Sequence, residues 1–417
     1  MTTTTREISK TAKFFALGII FFICGYFTTK HPMLWGSATP SPLIENQPSL
    51  SRKYFDRETS THLSDITNNH NHVKNQTLNQ MEKDFVHTFW SLLNKELAEP
   101  EKHWVQKLIP KPRKVLIISS VRSGSSFFGQ LLNQFPGTYY FFEPIKTRRV
   151  VDANLVEFLK DVLSCNCKNI AFSNSNHHVL RHNIRLMPLC NESAPLEVKR
   201  MCFNSDLLSE VCSLFPIRLI KTVRFEARMV ERLMEMVPDL TVISLIRDVR
   251  GGIVSRQKVP WCDPSNCADV KSVCKRYNQD VESSIDLTSR YPERFKIVRY
   301  EDLSLNLNQT VQSVADFLGF PLDQQIMTFL ADHTQSDEVE RRNVSLNPHS
   351  IVRQTSLHTF QWRYSIQPKQ LNQTQHLCAK GLSLMGFRLM PTIEDLLNPQ
   401  VHLMDPFFQN QSATKVF

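Results

Sequence analysis

A short loop near residue 120 combines one arginine, one glycine and three hydroxyl side chains directly after an apolar run. The run, Lys114–Ser120, has the continuous pattern of a buried strand, and Ser125 begins a segment with helical spacing. Backbone N–H groups at a helix start, hydroxyl donors and a fixed positive charge together bind phosphate-like anions. The second glycine and the Gly-Lys-Ser/Thr ending of an ATP-binding P-loop are missing. The loop therefore predicts an anion site other than an ATP γ-phosphate site, built from Arg122, Ser123, Gly124, Ser125, Ser126 and Phe127.

A second anion motif follows the apolar run Leu240–Ile246. Arg247 comes directly after this run, and a predicted helix brings Ser255 back toward it two turns later. An arginine and a serine at this spacing can hold one phosphate group from two sides. Alone the motif is weak, because an Arg-Asp pair after a strand is often a capping salt bridge; together with the first loop it becomes specific. The candidate residues of this motif are Arg247, Asp248, Arg250 and Ser255.

The elements that must position both motifs alternate between apolar strands and amphipathic helices from residue 111 onward. This alternation indicates an α/β fold with a central parallel sheet flanked by helices. Parallel sheets bind ligands at the carboxyl ends of their strands, where Arg122 and Arg247 both fall. The predicted strands are Lys114–Ser120, Thr138–Phe142, Arg218–Val223, Leu240–Ile246 and Phe295–Tyr300. The predicted helices are Ser125–Phe135, Ala227–Val237 and Asn308–Leu318, and an earlier one within Glu82–Lys107 is expected to pack against the domain.

The charge of the chain is moderately positive, with 49 Lys and Arg against 40 Asp and Glu. The excess is spread along the sequence and forms no basic block. It suits an anionic ligand and argues against a nucleic-acid-binding protein.

The N-terminal segment predicts a membrane anchor. An apolar run from Phe14 to Phe27 follows three basic residues, and Thr28 and Thr29 extend it toward the length of about 20 residues that a spanning helix needs. A cleaved signal peptide is the alternative, but no small-residue cleavage site directly follows. We expect a cytosolic tail at 1–13, a signal anchor at 14–29 and a lumenal stem at 30–109. Six glycosylation sequons agree with entry into the secretory pathway: Asn75, Asn191, Asn308, Asn343, Asn372 and Asn410.

The chain has ten cysteines, of which nine follow the predicted anchor and Cys24 lies within it. An oxidising lumen would pair most of the nine cysteines in disulfides. We favour disulfides over a zinc site because no histidine lies beside these cysteines at zinc-finger spacing. Because nine is odd, one thiol is left free or pairs between two chains, which would give a disulfide-linked homodimer.

At this point the sequence resembles the Golgi carbohydrate sulfotransferases of the galactose, N-acetylglucosamine and N-acetylgalactosamine 6-O-sulfotransferase family. Arg122–Phe127 matches the family's 5′-phosphosulfate loop, and Arg247–Ser255 matches its 3′-phosphate motif. The similarity covers residues 110–390, the expected sulfotransferase domain, and leaves 391–417 as a tail without an assigned role. Further blocks occur in the family's order: Phe142–Pro144, Lys221–Phe225, Tyr300–Leu303 and Gln361–Arg363.

The resemblance implies a P-loop-like sulfotransferase domain that uses 3′-phosphoadenosine-5′-phosphosulfate (PAPS) and no metal. The amides of 124–127 and the hydroxyls of Ser125 and Ser126 would hold the 5′-phosphosulfate, and Arg247 and Ser255 the 3′-phosphate. Arg122 stands where cytosolic sulfotransferases carry a catalytic lysine and would neutralise charge on the bridging oxygen.

The proton acceptor differs from that of the cytosolic relatives, which use a histidine after a Lys-Thr strand end. Here Val223 follows Lys221-Thr222, so Glu143 becomes the expected base, with a structural carboxylate as the alternative. Lys221 either contacts the transferred sulfonyl group or closes a salt bridge. Trp362 and Arg363 either line the donor site or belong to the core. After Glu143, Lys146, Arg148 and Arg149 either contact an acidic glycan or lie on a solvated face.

We therefore expect a type II Golgi membrane enzyme that transfers sulfonate from PAPS to the 6-hydroxyl of a sugar in a glycoprotein or glycosaminoglycan chain. Two alternatives stay open. A lumenal nucleotide-dependent kinase would need a Gly-Lys-Ser/Thr ending and a magnesium-binding acid near the loop, and the sequence offers neither clearly. A glycan-binding module without activity would need degenerate motifs, whereas both motifs are intact.

Overall fold

The protein is described by a computed structural model of the full chain. It describes residues 78–99, 102–108, 110–147, 154–170, 182–191, 193–263, 265, 267–334 and 359–406. The predicted anchor at 14–29, the first part of the predicted stem, Arg148, Arg149 and the last eleven residues lie outside the described residues. Among the described residues, no helix is long and apolar enough to cross a membrane.

A five-stranded parallel sheet forms the centre of the domain, in the order β2-β3-β1-β4-β5. All five predicted strands are present, with bounds that shift by at most one residue. The central strand β1 pairs with β3 on one side and with β4 on the other. The strands are β1 (Arg113–Ser119), β2 (Thr138–Phe142), β3 (Ile217–Thr222), β4 (Leu240–Ile246) and β5 (Phe295–Arg299).

Helices cover both faces of the sheet, which confirms the predicted class. In the first half of the described chain they are α1 (Gln80–Leu97), α2 (His103–Gln106), α3 (Ser125–Leu132), α4 (Leu155–Leu163), α5 (Leu196–Cys202), α6 (Ser205–Ser213) and α7 (Val230–Met236). In the second half they are α8 (Val249–Gln257), α9 (Val270–Arg290), α10 (Tyr300–Leu305), α11 (Leu307–Leu318), α12 (Gln324–Thr334), α13 (Pro368–Leu384) and α14 (Ile393–Leu397).

The two faces of the sheet have separate cores because successive side chains of a strand point to opposite sides. Leu116 and Ile118 of β1 face a core that includes α4, α8 and α9. Val115 and Ile117 face a second core that includes α3 and α11. The four successive residues Val115–Ile118 are thus all apolar, which is the continuous pattern expected of a strand buried on both faces.

The sheet register brings the carboxyl ends of the strands to one edge. Phe142 at the end of β2 lies opposite Lys221 of β3, and Ile118 of β1 lies opposite Thr222. On the other side of β1, Ser119 lies opposite Leu245 of β4. Residues that directly follow these strands therefore meet in space although they are about 100 residues apart in sequence.

Four disulfides pair eight of the described cysteines: Cys165–Cys212, Cys190–Cys202, Cys262–Cys267 and Cys274–Cys378. These pairings leave no thiolate cluster for a metal among the described residues. The remaining described thiol, Cys167, is fully buried, and burial raises its pKa to about 12. It is therefore not positioned to bridge two chains, and Cys24 lies outside the described residues.

Packing continues beyond the expected bounds of 110–390 at both ends. Helix α1 buries Phe85, Phe89 and Leu93 in the main core, as expected of the helix within Glu82–Lys107. After residue 390, Leu396 and Leu403 are buried in a small core together with Trp362. Residues up to 406 thus belong to the packed domain rather than to a tail.

Candidate active site

The predicted phosphate loop connects β1 to α3, as expected. Gly124 caps the helix with a left-handed backbone, at φ 83°. A Cβ atom at this position would lie 2.5 Å from the ring of Tyr300, so both the backbone conformation and the space require glycine. The first N–H groups of a helix have no intrahelical acceptor, and here they face the carboxyl edge of the sheet. The loop can therefore hold an anion on backbone N–H groups.

Hydrogen bonds inside the loop fix its shape. The Ser123 hydroxyl donates to the carbonyl of Ser120 at 2.7 Å, so this side chain supports the loop. Arg256 on α8 donates from Nε to the carbonyl of Val121 at 3.2 Å. Burial, with the charge of Arg276 adding to it, lowers the pKa of Arg256 to about 10. The loop is thus held from inside by Ser123 and from α8 by Arg256.

Arg122 joins the two predicted anion motifs. Its backbone is left-handed, at φ 66°, which is uncommon for a residue with a side chain. Its Nε donates to the hydroxyl of Ser255 at 3.2 Å. In return, a terminal nitrogen of Arg247 donates to the carbonyl of Arg122 at 2.8 Å. Arg122, Arg247 and Ser255, separated by up to 133 positions in sequence, therefore lie together. We call these three residues the anion cluster, because together they can hold an anion.

Arg247 is oriented by the aromatic ring of Tyr300, which lies 4.5 Å from its guanidinium carbon. Its Nε is buried and has no hydrogen-bond acceptor among the described residues. A buried guanidinium donor without an acceptor is costly unless an anion completes it. The Arg247 position thus fits a phosphate group.

Asp248 and Arg250 take a different position from the one expected for donor-binding residues. Both side chains are completely buried and form an ion pair of 2.7 Å. Two further N–H groups of Arg250 donate to Gln375 and to the carbonyl of Arg388, each at 2.9 Å. The side-chain hydrogen bonds described for Arg250 thus all go to internal partners, and we assign this pair a structural role.

Glu143 lies at the carboxyl end of β2 with a left-handed backbone, at φ 51°. Lys221 donates to one carboxylate oxygen and Arg224 to the other, both at 2.7 Å. The backbone N–H of Val223 also donates to the carboxylate, at 3.2 Å. Unfavourable backbone angles that persist in a tightly bonded setting are typical of functional sites. We call Glu143, Lys221 and Arg224 the carboxylate cluster.

Lys221 is the buried cation of the carboxylate cluster. Burial lowers the pKa of its ammonium group; the Glu143 carboxylate opposes this shift, and the charges of Arg224 and Arg122 add to it. Because the Arg122 charge acts on Lys221, the anion cluster and the carboxylate cluster belong to one electrostatic environment.

Glu301 supports the β4–α8 turn from the start of α10. Its carboxylate accepts a hydrogen bond from the backbone N–H of Asp248 at 3.1 Å. Burial, followed by the charge of Asp248, raises the pKa of Glu301 to about 8, although Arg247 opposes the shift. This side chain therefore carries a proton at neutral pH.

Trp362 and Arg363 pack into the core rather than into the anion cluster. The Trp362 ring lies against Gly251, where an added Cβ would come within 2.7 Å of it. Arg363 donates to the carbonyls of Leu396 and Asn398. Of the two alternatives for this pair, the structure favours the core.

A cavity of about 510 Å³ opens beside the anion cluster, on the face of the sheet that carries α8 and α9. Its wall includes Ser119–Val121 at the end of β1, and Arg224 and Phe225 after β3. None of residues 123–127 lines it. Arg247 also lines it, so the cavity borders the second anion motif.

Sequence reasoning missed three residues that the structure brings to this edge. Arg224 follows Lys221 by three positions, a spacing that could have suggested it. Tyr300 begins one of the blocks that occur in the family's order, but the block alone does not show its contacts with Gly124 and Arg247. Arg256 acts through Val121, 135 positions away.

Comparison with known proteins gives the family. The sulfotransferase domain family matches residues 112–386. Carbohydrate sulfotransferase 1 of Mus musculus is 26% identical over 347 residues, which cover 70% of this chain and 83% of the relative. Carbohydrate sulfotransferase 3 of Tetronarce californica is 23% identical over 384 residues, which cover 78% of this chain and 85% of the relative.

Solved structures resemble the chain more remotely. The sulfotransferase domain from the curacin biosynthetic pathway covers 67% of this chain and 99% of its own length, with 17% identity and a TM-score of 0.42. The family match over residues 112–386 spans the whole sheet and both anion motifs. This chain belongs to the sulfotransferase domain family.

Proposed function

We propose that the protein transfers sulfonate from PAPS to the 6-hydroxyl of a galactose, N-acetylglucosamine or N-acetylgalactosamine residue in a glycan chain. The observation that carries the proposal is the meeting of Arg122, Arg247 and Ser255 at the sheet edge that also holds Glu143. One edge thus combines two anion-binding motifs with a carboxylate. The carbohydrate sulfotransferases among the relatives support a glycan acceptor.

The residues at the sheet edge fit a donor with two anionic ends. The N-terminus of α3 and the hydroxyls of Ser125 and Ser126 suit the phosphosulfate end. The buried Nε of Arg247, which lacks an acceptor among the described residues, and the Ser255 hydroxyl suit the 3′-phosphate. When bound, PAPS supplies an activated sulfonate on a phosphate leaving group.

Arg122 provides positive charge beside the donor bond that breaks, between sulfur and the bridging oxygen. During in-line transfer the acceptor oxygen forms a bond to sulfur while the bond from sulfur to the bridging phosphate oxygen breaks. Negative charge then collects on that bridging oxygen, and the Arg122 guanidinium stabilises it by hydrogen bonding. Because arginine stays protonated, it acts through charge and does not donate a proton.

Glu143 accepts the proton that the acceptor hydroxyl loses. Lys221 and Arg224 fix the orientation of the carboxylate by donating to its two oxygens, and Val223 adds a backbone N–H. Arg224 also lines the cavity, so the carboxylate cluster borders the space in which an acceptor sugar could lie. Proton acceptance by a positioned carboxylate typically contributes about 10²–10⁴-fold to the rate.

We further propose that the enzyme is a single-pass type II protein of the Golgi membrane. The predicted anchor at 14–29, which lies outside the described residues, is the basis for this placement. Four disulfides and the exposed sequon residues Asn308 and Asn372 support an oxidising lumen for the domain.

Transfer of labelled sulfate from PAPS to chondroitin, keratan and N-acetylglucosamine-ended oligosaccharides tests the proposal. We expect transfer by the wild-type protein and at least about a hundredfold loss in Arg122→Ala, the loss typical when one charge-stabilising donor is removed. Linkage mapping of the product should locate the sulfate at position 6. Robust transfer by Arg122→Ala would refute the role of this residue.

The two alternative functions give different results in the same assays. A kinase would transfer phosphate from ATP and ignore PAPS in a donor competition. A binding module without activity would bind PAPS or glycans but transfer nothing to any acceptor of the panel.

A further inference from the structure

Trp261 is a large aromatic residue at the mouth of the cavity. It lines the cavity, yet 54% of its surface is exposed. The other exposed aromatic side chain among the described residues, Tyr364, does not line it. An indole that borders a cavity and still faces solvent can receive the apolar face of a ligand.

The position of Trp261 is fixed by its neighbours in the chain. Cys262 directly follows it and closes a short loop through the disulfide with Cys267. The carbonyl of Cys267 accepts a hydrogen bond from Arg256 at 2.9 Å. The same guanidinium donates to Val121 in the phosphate loop. Trp261 is thus tied through Arg256 to the residue that precedes Arg122, and a ligand on the indole would be held at a defined distance from the reacting centre.

The cavity behind Trp261 has polar groups as well as apolar walls. Arg224 and Arg276 line it, together with Asp280, and Val249, Ile253 and Val281 supply apolar surface. A pyranose ring has the matching chemistry, because its C–H faces are apolar while its edge carries hydroxyl groups that donate and accept hydrogen bonds. The ring can stack on an indole while its hydroxyls reach charged side chains.

We propose that Trp261 binds the acceptor glycan, by stacking against a sugar ring at the cavity mouth and presenting the chain to Glu143 and Arg122. The inference rests on the proposed function and assigns the part of the cavity at Trp261 and Arg224 to the acceptor, while Arg247 in the same wall serves the 3′-phosphate of the donor. Residues 123–127, which suit the phosphosulfate end of the donor, do not line the cavity, and this supports the division.

Steady-state kinetics of Trp261→Ala tests the inference, with the panel oligosaccharide that the wild-type protein sulfates. We expect the KM for the oligosaccharide to rise about tenfold, equivalent to about 1.4 kcal/mol, and the KM for PAPS to change less than about twofold. Trp261→Phe should recover most of the loss, because a phenyl ring still offers a flat face. The matched control is Tyr364→Ala, which removes an exposed aromatic side chain outside the cavity and should leave both KM values unchanged.

A fluorescence titration separates failure of this inference from failure of the proposed function, because it needs no turnover. Each oligosaccharide of the panel should change the emission of the wild-type protein more than that of Trp261→Phe. An unchanged acceptor KM in Trp261→Ala, or a rise in the KM for PAPS instead, would overturn the assignment. Equal fluorescence changes in both proteins would do the same.

Discussion

Two groups of buried charges lie at the same edge of the sheet and differ in what surrounds them. In the Asp248–Arg250 pair both side chains are completely buried, and Gln375 and Arg388 take further donors of the guanidinium. In the carboxylate cluster Glu143 and Lys221 are nearly buried, whereas the Arg224 side chain is 40% exposed and lines the cavity. The two groups thus differ in access: the Asp248–Arg250 pair is closed off, whereas the carboxylate cluster has one member at open space, as its proposed catalytic role requires.

The largest expected effect is on catalysis, in Glu143→Gln. The amide keeps the size, and its single oxygen can accept from Lys221 or from Arg224 but not from both. It cannot take up the proton of a hydroxyl. We expect kcat to fall about 10²–10⁴-fold while the circular dichroism spectrum stays native. Glu157→Gln, which alters a partly exposed carboxylate paired with Lys160, is the control and should keep wild-type activity. A fall of less than threefold in Glu143→Gln would leave Glu143 with a structural role only.

The next effect is on stability, in Asp248→Ala. The substitution leaves Arg250 charged and buried without its partner, which typically lowers the free energy of unfolding by about 3–5 kcal/mol. Chemical denaturation should measure this decrease. Asp405→Ala removes one member of the exposed Arg388–Asp405 pair and should cost less than about 1 kcal/mol. Equal losses in the two variants would remove the distinction between the buried pair and an ordinary surface pair.

The smallest effect concerns the pH dependence of stability, in Glu301→Gln. The folded-state pKa of about 8 lies above the ordinary value of 4.5, so the folded protein binds more protons than the unfolded chain between these values. The stability that the protonated Glu301 side chain gives the folded state is therefore fully present below pH 4.5 and is lost as the pH rises through 8. Glutamine does not titrate, so the melting temperature of Glu301→Gln should fall less between pH 5 and pH 9 than that of the wild type, a window that follows from the two pKa values. Parallel pH curves for the two proteins would contradict a protonated Glu301.

The strands were predictable from sequence because each of them is an apolar run that is buried on both faces. The meeting of Arg122 with Arg247 was predictable from their positions at strand ends. The structural role of Arg250 was not, because Gln375 and Arg388 lie at least 125 positions further along the chain. The packing of Leu396 and Leu403 was not predictable either, since nothing near them in sequence indicates the buried Trp362 with which they share a small core.

The strand order sets a sequence of events for folding during synthesis. The central strand β1 is made first, but its partners β3 and β4 follow only after about 100 and 120 further residues. Until then the apolar residues of Val115–Ile118 have no sheet to join, and exposed apolar strands of this kind favour aggregation. The local Cys190–Cys202 disulfide can close before β3 is complete, whereas Cys274–Cys378 needs almost the whole chain. We therefore expect the nascent protein to depend on chaperones mainly between the synthesis of β1 and that of β4.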